Sequence, residues 1–334
     1  KDPAWRAAII NALTFRHDGD AVKAIAADLN NADPVIAKAA LAALGEIGTA
    51  PAIKALNAEL AKLKTVERGD LVVDACLRGA GRAAALGDRK AAIEIYKAVL
   101  GKPVKDQAPD TGETIPMAAL AGLATVGGAD AMPELLNAIM AKEAASEPKA
   151  ARLQLAAAGY VQRIPGEKVT LQLAQAILIA TPNTQVVLLD TLGQRGDVAA
   201  LAAVNKSLKA PEAEVRAAAI GALRYIGNGA SVETLANFAA TATGPERDAA
   251  RGSLKWMKGS DVDEAITKLI GSAQDRVKAE LVRAASVRLM KPLMNELLAY
   301  VNDSDESVRT PVIYNLGKLA EPKDLPKVLK AFAT

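Results

Sequence analysis

Apolar positions along this chain recur at the spacing of an α-helix. In residues 211–226 they follow the i, i+3, i+4, i+7 rule from Val215 to Leu223 and beyond. Acidic residues open this stretch and Gly227 follows it, as expected for the start and the stop of a helix. A second apolar segment around Leu235 comes next. The pattern therefore predicts two helices joined by a short turn.

The same helix–turn–helix pattern repeats along the whole chain. The predicted turns lie at Gly19, Gly48, Gly87, Gly127, Gly166, Gly196, Gly227, Gly259, Lys291 and Ala320. Most of them are about 31 residues apart, and the three spacings between Gly48 and Gly166 lengthen to about 40. A unit of this size cannot bury its apolar faces alone, so neighbouring units must stack. We predict an all-α, right-handed α-solenoid of about ten two-helix repeats, forming one continuous array over 1–334 with an insertion loop at 101–114.

Two charged columns share the period of these repeats. An acidic residue precedes the helix in four units, at Asp2, Asp33, Glu212 and Asp305. An arginine lies seven residues before the recurring leucine of the first helix, which we call the unit leucine, at Arg6, Arg216, Arg247 and Arg309. We interpret these arginines as a structural column of inter-repeat ion pairs and caps rather than an anion site. Surface ion pairs of this kind are each worth about 0–1 kcal/mol.

Several of these helices resemble the second helix of a HEAT repeat. Residues 214–223 and 307–319 carry the likeness, which is of the Ala-rich bacterial type and covers nearly the whole chain. The units between Gly48 and Gly166 depart from it, because they are longer and lack the arginine column. Residues 91–100 also resemble a tetratricopeptide helix. The resemblance implies stacked helix pairs with a concave binding face, and it implies scaffolding more often than catalysis.

Composition and charge exclude several classes of protein. Aromatic residues are 3% of the chain, too few for a β-sandwich or a β-barrel. Cys76 is the single cysteine and His17 the single histidine, which excludes an intramolecular disulfide and any metal centre with two imidazoles. A HEAT-like hydroxylase with a His–Glu metal site is excluded on the same ground. The net charge of +3 gives no strong field for a polyanion. We predict no metal, no cofactor and no catalytic residue in this chain.

The chain shows no apolar run of 18 residues and no signal-peptide pattern at Lys1, so we expect no membrane span. Bacterial cytoplasm and periplasm are both compatible with a single cysteine. The first unit begins at Lys1 without a preceding partner helix. The last unit ends in the apolar residues Leu325, Val328, Leu329 and Phe332, whereas terminal repeats normally carry a polar outer face. We therefore expect the chain to be part of a longer protein.

Basic and aromatic residues offer candidates for a binding face. Four basic residues on one predicted helix form a stripe at i, i+4, i+8 and i+11, namely Arg247, Arg251, Lys255 and Lys258. The aromatic residues Tyr225 and Trp256 lie two positions after the unit leucine. The candidate binding residues are Arg224, Tyr225, Arg251, Lys255, Trp256 and Arg288. The alternatives are a solvated helix face for the stripe and an inter-repeat contact for the aromatic column. The insertion 101–114, which is polar and contains two prolines, is either functional or disordered.

These observations support one leading hypothesis and two alternatives. The leading one is a non-enzymatic scaffold that binds a protein partner, or a neighbouring domain of the same polypeptide, through its concave face. The first alternative is an accessory repeat region of a larger bacterial enzyme, because arrays that look like this one can be joined to domains resembling 3-keto-disaccharide hydrolases. The second is binding of an anion or a nucleic acid, since some HEAT-like proteins are DNA glycosylases. The weak net charge counts against the second alternative.

Overall fold

The protein is all-α in a computed structural model that describes residues 2–16, 19–66, 70–105, 114–142, 146–273 and 275–333. Within these ranges the only strand-like pairing is an isolated parallel bridge between Val66 and Val104. Contacts divide the chain into two compact units, Lys1–Val169 and Thr170–Thr334. The helix pairs predicted from the sequence are present in both units.

The first unit contains helices α1 to α9 and the start of α10, which crosses the division. Their bounds are α1 Pro3–Phe15, α2 Val22–Ala27, α3 Pro34–Ile47, α4 Ala50–Lys62, α5 Leu71–Ala85, α6 Arg89–Leu100, α7 Thr114–Gly127, α8 Met132–Ile139, α9 Pro148–Gln162 and α10 Glu167–Ile177. The odd-numbered helices α1, α3, α5, α7 and α9 contact one another in succession, and α2, α4 and α6 do the same. This is the stacking that repeat units need to bury a shared core.

The second unit repeats this arrangement. Its helices are α11 Pro182–Arg195, α12 Leu201–Ser207, α13 Ala213–Ile226, α14 Val232–Thr241, α15 Gly244–Trp256, α16 Ser260–Ser272, α17 Asp275–Val287, α18 Met294–Leu298, α19 Glu306–Leu319 and α20 Leu325–Phe332. The helices α11, α13, α15, α17 and α19 contact one another in succession. The all-α solenoid prediction is confirmed, and each predicted turn falls between the two helices of a pair. The handedness and the single continuous array stay predictions.

The predicted start and stop signals are present at several helix ends. The carboxylates of Asp2, Asp33 and Asp305 each accept a hydrogen bond of 2.9 Å from the backbone N–H two residues later, as N-caps do. Glu212 occupies the same position before α13 without a side-chain cap bond. At the other end, Gly48 takes the left-handed conformation after α3, with φ of 61°. These capping aspartates and the terminal glycine therefore determine locally where their helices begin and end.

Small residues let neighbouring odd-numbered helices approach closely. A Cβ atom added to Gly45 on α3 would lie 2.9 Å from the carbonyl oxygen of Ala75 on α5. One added to Gly193 on α11 would lie 2.9 Å from the Cα atom of Ala222 on α13. Glycine at these two positions therefore allows the helix backbones to touch, which a larger residue would prevent.

The insertion is only partly described. Val66 donates a backbone hydrogen bond of 2.9 Å to Pro103, and Lys105 donates one of 2.8 Å to Val66, so the first residues of the insertion pair with the segment before α5. Residues 106–113 of the predicted loop and the turn residue His17 lie outside the described residues.

One stretch among the described residues, Thr114–Ile139, is long and apolar enough to cross a membrane by length and composition alone. In the structure this stretch is not one regular α-helix. It consists of α7 and α8, separated by a 3-10 turn at Gly128–Ala131 in which Gly128 has a φ of 54°. Helix α7 packs between α6 and α9, and Leu120, Leu123 and Leu135 are buried. We therefore interpret the stretch as a helix pair of the core.

Gly45→Ala should destabilise the protein by about 1–3 kcal/mol, because the new methyl group meets the backbone of α5. The matched control is Gly159→Ala on α9, where nothing lies within 4 Å of the added Cβ. The control should stabilise by about 0.5–1 kcal/mol, since alanine is the better helix former. Chemical denaturation of both variants measures the difference, and a neutral Gly45→Ala would contradict the close approach of α3 and α5.

Leu223→Ala should cost about 2–5 kcal/mol, because Leu223 is fully buried in the second unit. Arg224→Ala, one residue further along α13, should cost about 0.5–1 kcal/mol, since its side chain is exposed and stacks on aromatic rings. Equal losses in a denaturation series would mean that α13 is rotated relative to this structure.

Candidate functional site

The predicted binding residues do not form one surface. Arg251 on α15 is largely buried, with 11% of its side chain exposed, and it forms a bidentate ion pair with Glu280 on α17. One Nε bond to Glu280 measures 2.9 Å. The Arg251 Nη2 atom also donates a hydrogen bond of 2.8 Å to the hydroxyl of Ser307 on α19. Arg251 therefore links three successive repeats instead of facing solvent.

A second arginine completes this buried charge network, which we define as Arg251, Glu280, Arg283, Asp305 and Ser307. Arg283 donates from Nε to the backbone carbonyl of Ser307 at 3.0 Å. Burial lowers the pKa of Arg283, and the neighbouring Arg251 adds to the effect. The pKa of Arg251 is raised, chiefly by its hydrogen bond to Glu280. The hydroxyl of Ser307 holds the pKa of Asp305 below its usual value.

The guanidinium group of Arg288 also makes contacts within the protein instead of facing solvent. Only 9% of its side chain is exposed, and its Nε atom donates to Asp263 at 2.6 Å. Its Nη1 atom donates to the carbonyl oxygens of Leu254 and Met257, at 2.9 and 2.8 Å, and so caps the C-terminal end of α15. The prediction of a solvent-facing site containing Arg251 and Arg288 is thus corrected, because both guanidinium groups already have acidic partners on neighbouring elements.

Three arginines of the arginine column make the ion pairs or hydrogen bonds expected of a structural role, but these contacts are less regular from repeat to repeat than we predicted. Arg216 pairs with Glu246 of the next repeat at 2.6 Å, and Arg6 pairs with Asp28 of its own repeat at 2.8 Å. Arg309 donates to the carbonyl oxygen of Asp303 at 2.5 Å, just before its own helix. The buried Nε atom of Arg247 has no hydrogen-bond partner among the described residues.

The four remaining candidates do come together, and we call them the aromatic–cation cluster: Arg224, Tyr225, Lys255 and Trp256. Both rings are half-exposed, at 50% for Tyr225 and 52% for Trp256. The Arg224 Cζ atom lies 5.3 Å from the centre of the Tyr225 ring and 5.5 Å from that of Trp256, so it joins α13 to α15. The Lys255 Nζ atom lies 4.5 Å from the Trp256 ring. These are cation–π distances.

Neither cation of this cluster has a carboxylate within ion-pair distance in the described part of the chain. This separates Arg224 and Lys255 from Arg216, Arg251 and Arg288, each of which is paired. Because the two charges are exposed and the rings beside them keep half of their surface in solvent, the cluster can contact another molecule without first breaking an internal ion pair.

The cluster adjoins a groove across α11, α13 and α15, with a volume of about 610 Å³. Arg224 and Tyr225 belong to both the cluster and the groove lining. The floor consists of small residues, which are Gly193, Ala217, Ala218, Gly221, Ala222, Ala249, Gly252 and Ser253. Three exposed carboxylates, those of Asp190, Glu214 and Asp248, complete the polar lining together with Arg224. We call this feature the acidic groove.

Sequence reasoning missed the carboxylates of the acidic groove. Asp190, Glu214 and Asp248 belong to three different repeats and three different columns, so no spacing rule connects them. Gly221 and Gly252 could have been found in the sequence, because both lie two residues before the unit leucine in successive repeats.

No cluster of three or more metal-ligating side chains occurs among the described residues. The thiol of Cys76 is buried in α5, and this burial raises its pKa to about 12. A thiol of that kind is protonated at neutral pH and is a poor nucleophile. Cys76 packs as the small apolar core residue that the sequence indicated.

Comparisons with known proteins find likeness in structure but not in sequence. No protein family matches the chain, and no curated protein matches it. An engineered protein of known structure is 16% identical over 96% of both chains, with a TM-score of 0.37. Human deoxyhypusine hydroxylase is 17% identical over 76% of this chain and 93% of its own, with a TM-score of 0.35.

A longer protein is also similar. Kap95p, solved with RanGDP, is a HEAT/ARM-repeat solenoid that is 12% identical over 95% of this chain, with a TM-score of 0.48. This chain spans 48% of its length. At such identities the likeness concerns helical stacking alone, and the fold described above rests on the helix contacts of this chain.

Glu280→Gln should cost about 3–5 kcal/mol, because it leaves the largely buried Arg251 without its carboxylate and removes a negative charge that acts on Arg283. The matched control is Glu264→Gln on α16, an exposed carboxylate, which should change stability by no more than about 0.5 kcal/mol. Chemical denaturation at neutral pH compares the two. A small loss in Glu280→Gln would show that Arg251 is free to act in binding.

Proposed function

We propose that this chain is a HEAT-like repeat scaffold of the Ala-rich type, which binds a protein partner through the face of α11, α13 and α15 that carries the aromatic–cation cluster. The resemblance to HEAT repeats implies that this is the concave face. The partner is a separate protein or a neighbouring domain of the same polypeptide. The proposal assigns no catalytic step to this chain.

The aromatic–cation cluster carries the proposal. Exposed aromatic residues and arginine are enriched where proteins bind proteins, and a few of them dominate the binding energy. Here two rings and two cations lie on adjacent repeats, and the internal geometry already holds them in place through the contact of Arg224 with both rings. Because these side chains are partly ordered before binding, less conformational freedom is lost when a partner covers them.

The charges around the cluster favour a protein over a nucleic acid. A phosphate backbone laid along α13 and α15 would meet Arg224 and Lys255, but it would also meet the carboxylates of Glu214 and Asp248. Nucleic-acid sites depend on many basic contacts without opposing charge. A folded partner can present both signs of charge and match this surface, which no polyanion can do.

If the chain is instead an accessory region of a larger carbohydrate-active enzyme, the rings of Tyr225 and Trp256 would have to bind a sugar. A sugar would need an open face of Tyr225 or Trp256 for stacking. Arg224 lies over both rings and Lys255 over Trp256, so cations cover part of the ring surface on which a sugar would stack. This observation supports the protein-binding reading of the cluster.

The double variant Arg224→Glu with Lys255→Glu tests the proposal. Both side chains are exposed and without carboxylate partners, so only their contacts with the rings are lost, and the melting temperature should fall by no more than about 4 °C. Proteins recovered by affinity purification and confirmed by cross-linking to the face of α13 and α15 should fall about tenfold or more.

The matched control is Lys206→Glu with Lys209→Glu, which changes the net charge equally at two exposed lysines near the end of α12. It should leave recovery unchanged. If recovery is the same for both double variants, the cluster takes no part in binding and the proposal fails.

A further inference from the structure

The acidic groove allows the partner to be described by its chemistry, an inference that rests on the proposed function. Its lining carries three carboxylates and one guanidinium, so the groove is negative even though the chain as a whole is slightly positive. Asp190, Glu214 and Asp248 have no ion-pair partner within 4 Å in the described ranges. An occupant of the groove therefore finds three exposed acceptors without a direct ion pair, of which Glu214 also contributes to the field at Arg216 and Asp248 to that at Arg251 and Arg283.

The floor of the groove adds an independent constraint. Gly221 and Gly252 lie inside α13 and α15, where glycine is less favourable than alanine. A Cβ atom at either position would have nothing within 4 Å. Helix packing therefore does not require glycine here, in contrast to Gly193, where an added Cβ would press on α13. The two glycines keep the floor at the level of the helix backbone.

We propose that the acidic groove binds a basic segment of the partner protein, whose main chain lies over Gly221 and Gly252. Lysine or arginine side chains of that segment pair with Asp190, Glu214 and Asp248. A volume of about 610 Å³ accommodates a few residues, so the contact is a short segment rather than a whole domain face. Arg224 and Tyr225 line the groove and connect it to the aromatic–cation cluster. An acidic segment would instead bring like charges together along most of its length.

Selection from a display library of random twelve-residue peptides tests the sign of the charge. Peptides that bind the full chain should be enriched in lysine and arginine relative to the unselected library. Their affinity, measured by fluorescence anisotropy of labelled peptides, should fall at least about tenfold in the variant Asp190→Asn, Glu214→Gln, Asp248→Asn and should weaken as salt is added. The melting temperature of this variant serves as the control for folding.

A second pair of variants tests the close approach of the main chain. Gly221→Ala with Gly252→Ala should raise the melting temperature, because alanine favours the helix and meets no neighbour. The same protein should bind the selected peptides at least about tenfold more weakly, since two methyl groups then stand on the floor. Gly317→Ala on α19, which also has open space at its Cβ, should raise the melting temperature without changing binding. A purely structural role for the two glycines predicts unchanged binding.

The outcomes separate this inference from the proposed function. Selected peptides that are neutral or acidic, or that bind the carboxylate-free variant equally well, overturn the basic segment. If those peptides still depend on Arg224 and Lys255, the protein-binding face stands while the groove assignment fails. If no selected peptide depends on the groove or on the cluster, both proposals fail.

Discussion

Contact between neighbouring odd-numbered helices is the constraint on which the rest of this structure depends. A pair of helices of this length has too little surface to bury its own apolar stripe, so stability arises only when repeats stack. Gly45 against Ala75 in the first unit and Gly193 against Ala222 in the second bring the backbones close together. Leucine and isoleucine then fill the space between the odd and even helices. The abundance of alanine in the sequence reflects this geometry.

The fold was predictable because its determinants are local. Turn glycines, capping aspartates and the apolar spacing of residues such as Leu223 lie within single repeats, and each acts over a few residues. Because the repeats resemble one another, the same pattern can be recognised several times along the chain. Where a single repeat departs from this local pattern, the pattern does not predict the structure. Leu289 takes a φ of 59° at the end of α17, where other repeats place glycine, and sequence periodicity does not foresee such an exception.

The site was predictable only in part, because long polar side chains take their direction from neighbouring repeats. Arg224, Tyr225, Lys255 and Trp256 were found because two successive repeats carry them in matching columns. Arg251 looks equivalent to Lys255 on a helical wheel, yet Glu280, 29 residues later, draws it inward. Arg288 is likewise drawn to Asp263. The carboxylates of the acidic groove lie on three helices, and only their stacking brings these groups together.

The buried charge network has a consequence for how this protein can change over evolutionary time. Repeat arrays commonly gain or lose whole units by duplication or deletion, since each unit meets its neighbours through interchangeable apolar surfaces. Between α15 and α19 the surfaces are not interchangeable, because Arg251, Glu280 and Ser307 come from three successive units and satisfy one another. A unit copied into or removed from this segment would strand a charge in the interior. Electrostatics therefore fixes the succession of these three units, in addition to the apolar contacts that all neighbouring units share.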